Sequence, residues 1–253
     1  PLTGWCVDGD RFVPVNVMDV AGLVPDAHEG KGMGLEFLDD LNRADALIHV
    51  IDASGGTNAE GEPVENGSYD PANDIEFLEE ELDQWYLQTL QDGWEKLVRK
   101  VSQTDLDRDE ELGERMSGLG ASETDVKSAL HERGLEEKDL SAWTDEDMLD
   151  FCSSLRRLTK PMVIAANKAD VPGAMDTVQR LQDNFPDYDI VPMSAQCELV
   201  LRNAVEQDVI SYLPGSDSFT RQGSLSEEQE EGLDFVESVI DELGGTGAQR
   251  VLD

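Results

Sequence analysis

The chain is 253 residues long and carries 56 acidic against 19 basic side chains, a formal charge of −37. That length can bury a substantial core and admits one large α/β domain or a domain with an insertion. The acidic excess runs along the whole chain with no basic patch, which excludes binding by phosphate neutralisation, so no direct DNA binding is expected.

Val7-Asp8-Gly9-Asp10-Arg11-Phe12 carries an Asp-Gly hairpin signal between two short antiparallel strands. Phe12 to Met18 reads as a further strand, and Asp19-Val20-Ala21-Gly22 at its end has the form D-x-x-G. An aspartate there can hold Mg²⁺ through water, and Gly22 lets a backbone N–H come close to a terminal phosphate. A glycine-rich loop from Leu23 to Gly34 then leads into a helix from Leu35 to about Asn42. Ala46 to Asp52 is a buried strand, and residues 55–72 are a loop rich in Gly, Asn, Pro and Glu.

From Asp74 the pattern turns helical, with Leu78, Leu82, Trp85, Leu90, Trp94, Leu97 and Val101 recurring at helical steps. Such a stripe is the core of a helix hairpin rather than a ligand surface. Further helices are expected over Thr124 to Arg133 and Asp145 to Leu158, the second opened by the capping run Thr144-Asp145-Glu146-Asp147.

Pro161 to Ala166 is an apolar run of the kind found in buried parallel strands, and Asn167-Lys168-Ala169-Asp170 follows it as N-K-x-D. In that setting the tetrapeptide reads as a guanine-recognition loop. The Asp170 carboxylate can accept from guanine N1 and N2, Asn167 can bond the base edge, and the Lys168 stem can lie over the ring. Adenine lacks that pair of donors. Ser194-Ala195 follows the strand-like Asp189 to Met193, and the Ala195 N–H can bond guanine O6. Helices near 198–212 and 226–243 follow, with a Gly/Ser-rich loop from Pro214 to Ser226 between them.

D-x-x-G, N-K-x-D and S-A thus occur in that order, each at the carboxyl end of an expected strand, where open α/β sheets bind ligands. Asp19 and Asn167 are 148 positions apart, far more than βα units need. The expected organisation is therefore an α/β domain in two parts, 1–65 and 159–253, interrupted by a helical insertion over 66–158 that projects towards partners.

With these residues in hand, the chain resembles the Obg/YchF branch of translation-factor-related P-loop GTPases. Asp19 to Val24, Ala27 to Gly34 and Ala46 to Asp52 look like that branch's second switch and following strand, and Asp74 to Glu81 like the start of its helical insertion. The resemblance implies a P-loop NTPase-type G domain, GTP and GDP as ligands with Mg²⁺, and a translation- or ribosome-associated switch. An intact N-K-x-D favours GTP over ATP. Leu23 stands where many GTPases place a water-orienting glutamine, which an aliphatic side chain cannot replace. This likens the chain to GTPases that position water with backbone groups and K⁺.

G-x-x-x-x-G-K-[S/T] occurs nowhere in the sequence. The phosphate loop is expected upstream of Pro1, and a small TGS domain beyond the Gly244-Gly245-Thr246-Gly247 end, so that the chain alone is expected to be inactive in hydrolysis. The rival expectation is a non-catalytic remnant or interaction module.

A surface this acidic repels itself in dilute buffer, whereas at molar salt the Debye length falls to about 3 Å. An extreme-halophile cytoplasm is expected on that ground. Cys6, Cys152 and Cys197 match no metal spacing and read as free thiols of a reducing compartment. His28, His49 and His131 are scattered, which argues against a histidine metal site. No run reaches the length of a membrane span.

Overall fold

The computed structural model describes residues 5–7, 10–20, 41–104 and 106–253. Strands β1 (Trp5–Val7) and β2 (Asp10–Phe12) pair antiparallel, Cys6 opposite Arg11, as the Asp-Gly signal requires. Beyond β2, the expected strand through Met18 does not form. Residues 13–20 have no regular structure, and Val13, Val15, Val17 and Met18 are exposed. Alternating apolar residues make a strand only against a neighbour that satisfies their backbone groups, and no described strand pairs with them. Of the helix expected from Leu35, only its end at residues 41–43 is described.

The centre of the fold is a three-stranded parallel sheet of β3 (Leu47–Asp52), β4 (Met162–Asn167) and β5 (Asp189–Pro192), in the order β3-β4-β5. Its register sets Asp52 opposite Asn167 and Ala166 opposite Pro192, so the carboxyl ends of all three strands lie at one level. The free edge of β3, with Ile48 and Val50 exposed, faces residues 14–20 across a cleft of about 1720 Å³.

The crossover from β3 to β4 is long and helical: α1 (Ala72–Gln91), α2 (Trp94–Gln103), α3 (Arg108–Met116), α4 (Glu123–Arg133) and α5 (Asp145–Thr159). The apolar stripe from Leu78 to Val101 is thus two helices. The break falls at Gly93, whose φ of 66° is left-handed backbone that other residues rarely adopt. Helix α3 was not expected from the apolar pattern, although Asp107 caps it, accepting from the Asp109 and Glu110 amides. Thr144 and Asp147 form a reciprocal capping box at the start of α5, as their spacing predicts. These helices bury their own core, including Tyr86, Leu112, Met116, Leu130, Phe151 and Leu155. Trp143 stacks between Trp94 and Phe151 at centroid distances of 5.5 and 5.3 Å.

One polar contact ties this helical stretch to the sheet. Arg156, 1% exposed, donates to Asp83 at 2.5 Å, to Glu79 at 3.3 Å and to the Tyr188 hydroxyl at 3.2 Å, and Tyr188 in turn donates to Glu79. Tyr188 immediately precedes β5. A guanidinium so deeply placed persists because two carboxylates and a hydroxyl satisfy it together, and removing either carboxylate would leave it short of countercharge.

Helix α6 (Ala174–Asn184), unassigned by the apolar pattern, joins β4 to β5 and packs Val178 and Leu181 on Ile51, Ile164 and Ile190. Helix α7 (Ala195–Glu206) follows β5. It is shorter than the expected 198–212 helix because Ile210–Ser211 leaves it to form β6, which pairs with β7 (Thr220–Arg221) inside the expected loop. Helix α8 (Glu227–Leu243) packs Leu233, Val236 and Ile240 on Leu201 of α7, and α9 (Ala248–Leu252) follows.

Candidate functional site

The level carboxyl ends of β3, β4 and β5 bring together the loops at 52–57, 167–170 and 193–195. Each is shaped by backbone bonds to its neighbour. Ala53 N–H donates to the Asn167 carbonyl, Met193 N–H to the Ala166 carbonyl and Ala169 N–H back to the Met193 carbonyl, all at 2.9–3.0 Å. The first loop after β4 therefore sits between the other two.

Asn167 joins two of the expected base-reading elements directly. Its Oδ1 accepts from the Ala195 N–H at 3.0 Å, so that N–H, expected to face guanine O6, is engaged with the Asn167 amide in this structure. Ser194 is fully buried and caps α7, its Oγ accepting from the Cys197 N–H at 3.2 Å. Lys168 is a non-glycine residue at φ 61°, a conformation that costs about 1–2 kcal/mol. Its Nζ donates to Asp52 Oδ2 at 2.6 Å and to Thr57 Oγ1 at 3.3 Å.

Asp52 was not singled out as a site residue. It ends β3 and accepts four hydrogen bonds: from Ser54 N at 3.0 Å, Ser54 Oγ at 2.5 Å, Thr57 Oγ1 at 2.6 Å and Lys168. Burial alone would raise its pKa. The Lys168 ammonium, the two hydroxyls and the Ser54 amide outweigh burial and hold the carboxyl below its ordinary value. The signal for Asp52 lay in its place at the end of a buried strand level with N-K-x-D.

Asp170 is half-buried at the turn that leads into α6, where Val171 N–H closes on the Lys168 carbonyl at 3.0 Å. Among the described residues its carboxylate takes no hydrogen bond from the protein. A two-oxygen acceptor is thus free beside Asn167 and Ala195, as a ligand edge with two adjacent N–H donors would require.

Asp19 is exposed, at a distance in the chain from these loops, and lies on the wall of the cleft along β3. Gly22 and Leu23 lie outside the described residues. Among the described residues no group of three His, Cys, Asp or Glu side chains is placed to hold a metal ion. What Asp19 offers Mg²⁺ is a single outer carboxylate, which fits an ion whose remaining ligands are phosphate oxygens and water.

Residues 165–253 match a family model described as the Obg-like GTPase YGR210-like, G4 motif-containing domain. The whole chain aligns at 42% identity with an uncharacterized GTP-binding protein of Methanocaldococcus jannaschii, of which it spans 63%. It aligns over 71% of its length, at 31% identity, with the GTPase Obg of Alkaliphilus oremlandii, covering 36% of that protein. Its fold matches the crystal structure of a GTP-binding protein from Pyrococcus horikoshii with a TM-score of 0.76 at 37% identity, over all of this chain and 64% of that one. The chain thus spans less than two thirds of these longer relatives. By its sequence and its parallel sheet the chain is similar over its whole length to GTP-binding proteins, and over residues 165–253 to an Obg-like GTPase domain.

Proposed function

We propose that this chain binds a guanine nucleotide at the carboxyl end of its parallel sheet and forms the switch and base-reading portion of a GTPase. The observation that carries the reading is the Asp170 carboxylate, free of protein hydrogen bonds beside the Asn167–Ala195 pair. Asp170 accepts from guanine N1 and N2, and the joined Asn167 and Ala195 amides face the O6 edge. Lys168, held by Asp52, flanks the base.

Phosphate binding falls to the cleft along the edge of β3 that no described strand pairs with. Asp19 on the wall of that cleft would hold Mg²⁺ through water, and Gly22 would face the γ-phosphate. Magnesium supplies charge neutralisation at the β- and γ-phosphates. Loss of the γ-phosphate releases the segment after Gly22 and turns a local contact into a conformational signal. Leu23 leaves the attacking water to backbone groups and K⁺. A ribosome- or translation-linked partner and a cytoplasmic setting are part of the same proposal, with the helices of residues 72–159 as the partner-facing surface.

Replacement of Asp170 by Asn tests the reading by swapping an acceptor for a donor. Two charge-assisted hydrogen bonds are worth roughly 1.5–3 kcal/mol each, so GDP affinity should fall tenfold or more. Xanthosine diphosphate, with an oxygen in place of the 2-amino group, should gain affinity. An unchanged preference for GDP in Asp170→Asn would overturn the assignment of the loop.

A further inference from the structure

The Gly244-Gly245-Thr246-Gly247 run has no part in the site described so far, yet it is packed against the back of the Ser194-Ala195 loop. The Thr246 carbonyl accepts from the Ser194 N–H at 2.9 Å. The Thr246 side chain, 2% exposed, donates to Glu198 Oε2 at 2.7 Å, one turn into α7. That carboxylate also accepts from the Tyr212 hydroxyl at 2.8 Å and, through Oε1, from Arg202 at 2.6 Å. Burial alone would raise the Glu198 pKa, but the donors from Thr246, Tyr212 and Arg202 outweigh it and keep the carboxyl low.

Gly247 makes the closest approach. At φ 81°, a Cβ there would overlap the Pro192 carbonyl oxygen and come within 2.7 Å of Met193 Cβ and 2.8 Å of Met193 Cα. Pro192 and Met193 are the two residues that lead into Ser194, so any side chain at 247 must displace the end of β5. Arg250 adds a bond to the same Pro192 carbonyl at 3.3 Å. The Ser194-Ala195 loop is therefore held from both sides, by Asn167 in front and by Thr246 and Gly247 behind.

We propose that Thr246 and Gly247 are positioning residues for base recognition. They fix the Asn167–Ala195 pair at the O6 edge of a guanine nucleotide, and displacement of this C-terminal segment loosens the grip on that edge. The inference rests on the guanine reading above.

The test is titration of the chain in KCl with three diphosphates, followed through its amide resonances. The ligands are GDP, inosine diphosphate, which lacks the 2-amino group, and 6-thioguanosine diphosphate, which keeps N1–H and the 2-amino group but puts sulfur, a weak acceptor, in place of O6. The unaltered chain should prefer GDP over both. Gly247→Ala should lower GDP affinity about tenfold, to the level of the 6-thio analogue, and speed exchange of the Ser194 amide. Its preference for GDP over inosine diphosphate, which reports Asp170, should persist. Thr246→Val should lose part of the O6 preference, and Thr246→Ser, which keeps the hydroxyl, should restore it. Gly134→Ala serves as the remote control, because it introduces the same left-handed strain in the helical stretch with open space around it, and it should leave both preferences intact.

If the unaltered chain shows no preference for GDP over either analogue, the guanine reading falls and this proposal with it. If the unaltered chain discriminates and Gly247→Ala and Thr246→Val keep the full O6 preference, the positioning role is overturned while the guanine reading stands. Equal loss of both preferences in Gly247→Ala and Gly134→Ala would also overturn it, by reducing the effect to general destabilisation.

Discussion

Asp52→Asn is the substitution whose consequence can be worked out most fully. The carboxylate accepts from two backbone-proximal hydroxyls, one amide and the Lys168 ammonium. Asparagine keeps one acceptor oxygen for Ser54 or Thr57 but turns an NH₂ and no charge towards Lys168. A charge-assisted hydrogen bond is worth about 1.5–3 kcal/mol when enclosed. Lys168 is 47% exposed while Asp52 is 11% exposed, so solvent screening brings the Lys168 contribution down to about 1 kcal/mol. The same contact holds Lys168 in a left-handed backbone that costs about 1–2 kcal/mol, and without its anchor the lysine relaxes towards other conformations. Guanine-nucleotide affinity should therefore drop about five- to tenfold, since each 1.4 kcal/mol is a factor of ten. Denaturant unfolding and nucleotide titration of Asp52→Asn, Lys168→Met and the double variant would measure the coupling. The cycle should return about 1 kcal/mol in stability. The linkage has a definite sign: the folded carboxyl is depressed, so its contribution is present at neutral pH and is lost as pH falls through its folded pKa. Additive losses in the cycle, with coupling below about 0.3 kcal/mol, would refute the idea that Asp52 organises the loop through Lys168.

Two further expectations concern the medium. Burial lowers His49 to about 4 from 6.5, and its Nδ1 is buried without a hydrogen-bond partner among the described residues, so the folded state holds it neutral. Stability should then be full above pH 6.5 and fall, by at most about 3 kcal/mol, as pH drops towards 4; urea midpoints against pH should show that slope, and a His49→Phe variant that kept it would contradict the assignment. The charge of −37 should make the fold more stable in molar KCl than in dilute buffer, because screening removes self-repulsion. A thermal midpoint that stayed level or fell with added KCl would count against halophilic adaptation.

The parallel strands and the capped helices were legible because their signals are local. Pro161 to Ala166 is an uninterrupted apolar run, and Thr144 with Asp147 has the spacing of a reciprocal cap. Residues 13–20 show the limit of that logic, since alternation describes a face and says nothing of whether a neighbouring strand is there to pair with it. Helices α3 and α6 were missed for the opposite reason. Both are short and carry few apolar residues, so tertiary packing on Leu112 and Met116 in one, and on Val178 and Leu181 in the other, decides them more than their pattern does. Arg156 was invisible as a core residue because its burial depends on Glu79, Asp83 and Tyr188, which reach it from two other elements.

The site itself divides along the same line. N-K-x-D and S-A were readable as motifs, and Asn167 bonds Ala195 directly, but the contacts that brace the two loops from outside come from residues 52, 57, 246 and 247, more than fifty positions away in each case from a loop they hold. What brings them together is register. Asp52 stands opposite Asn167 because Leu47 stands opposite Met162, five residues earlier in the sheet. A slip of one residue along β3 would turn the Asp52 side chain to the other face, leaving Lys168 without its carboxylate and Ile51 out of the core. The register is pinned by the apolar fit of Ile51 and Ile164 under Val178 and Leu181. The geometry proposed to read the base is thus set as much by the buried interior of the strands as by the polar tetrapeptide at their end.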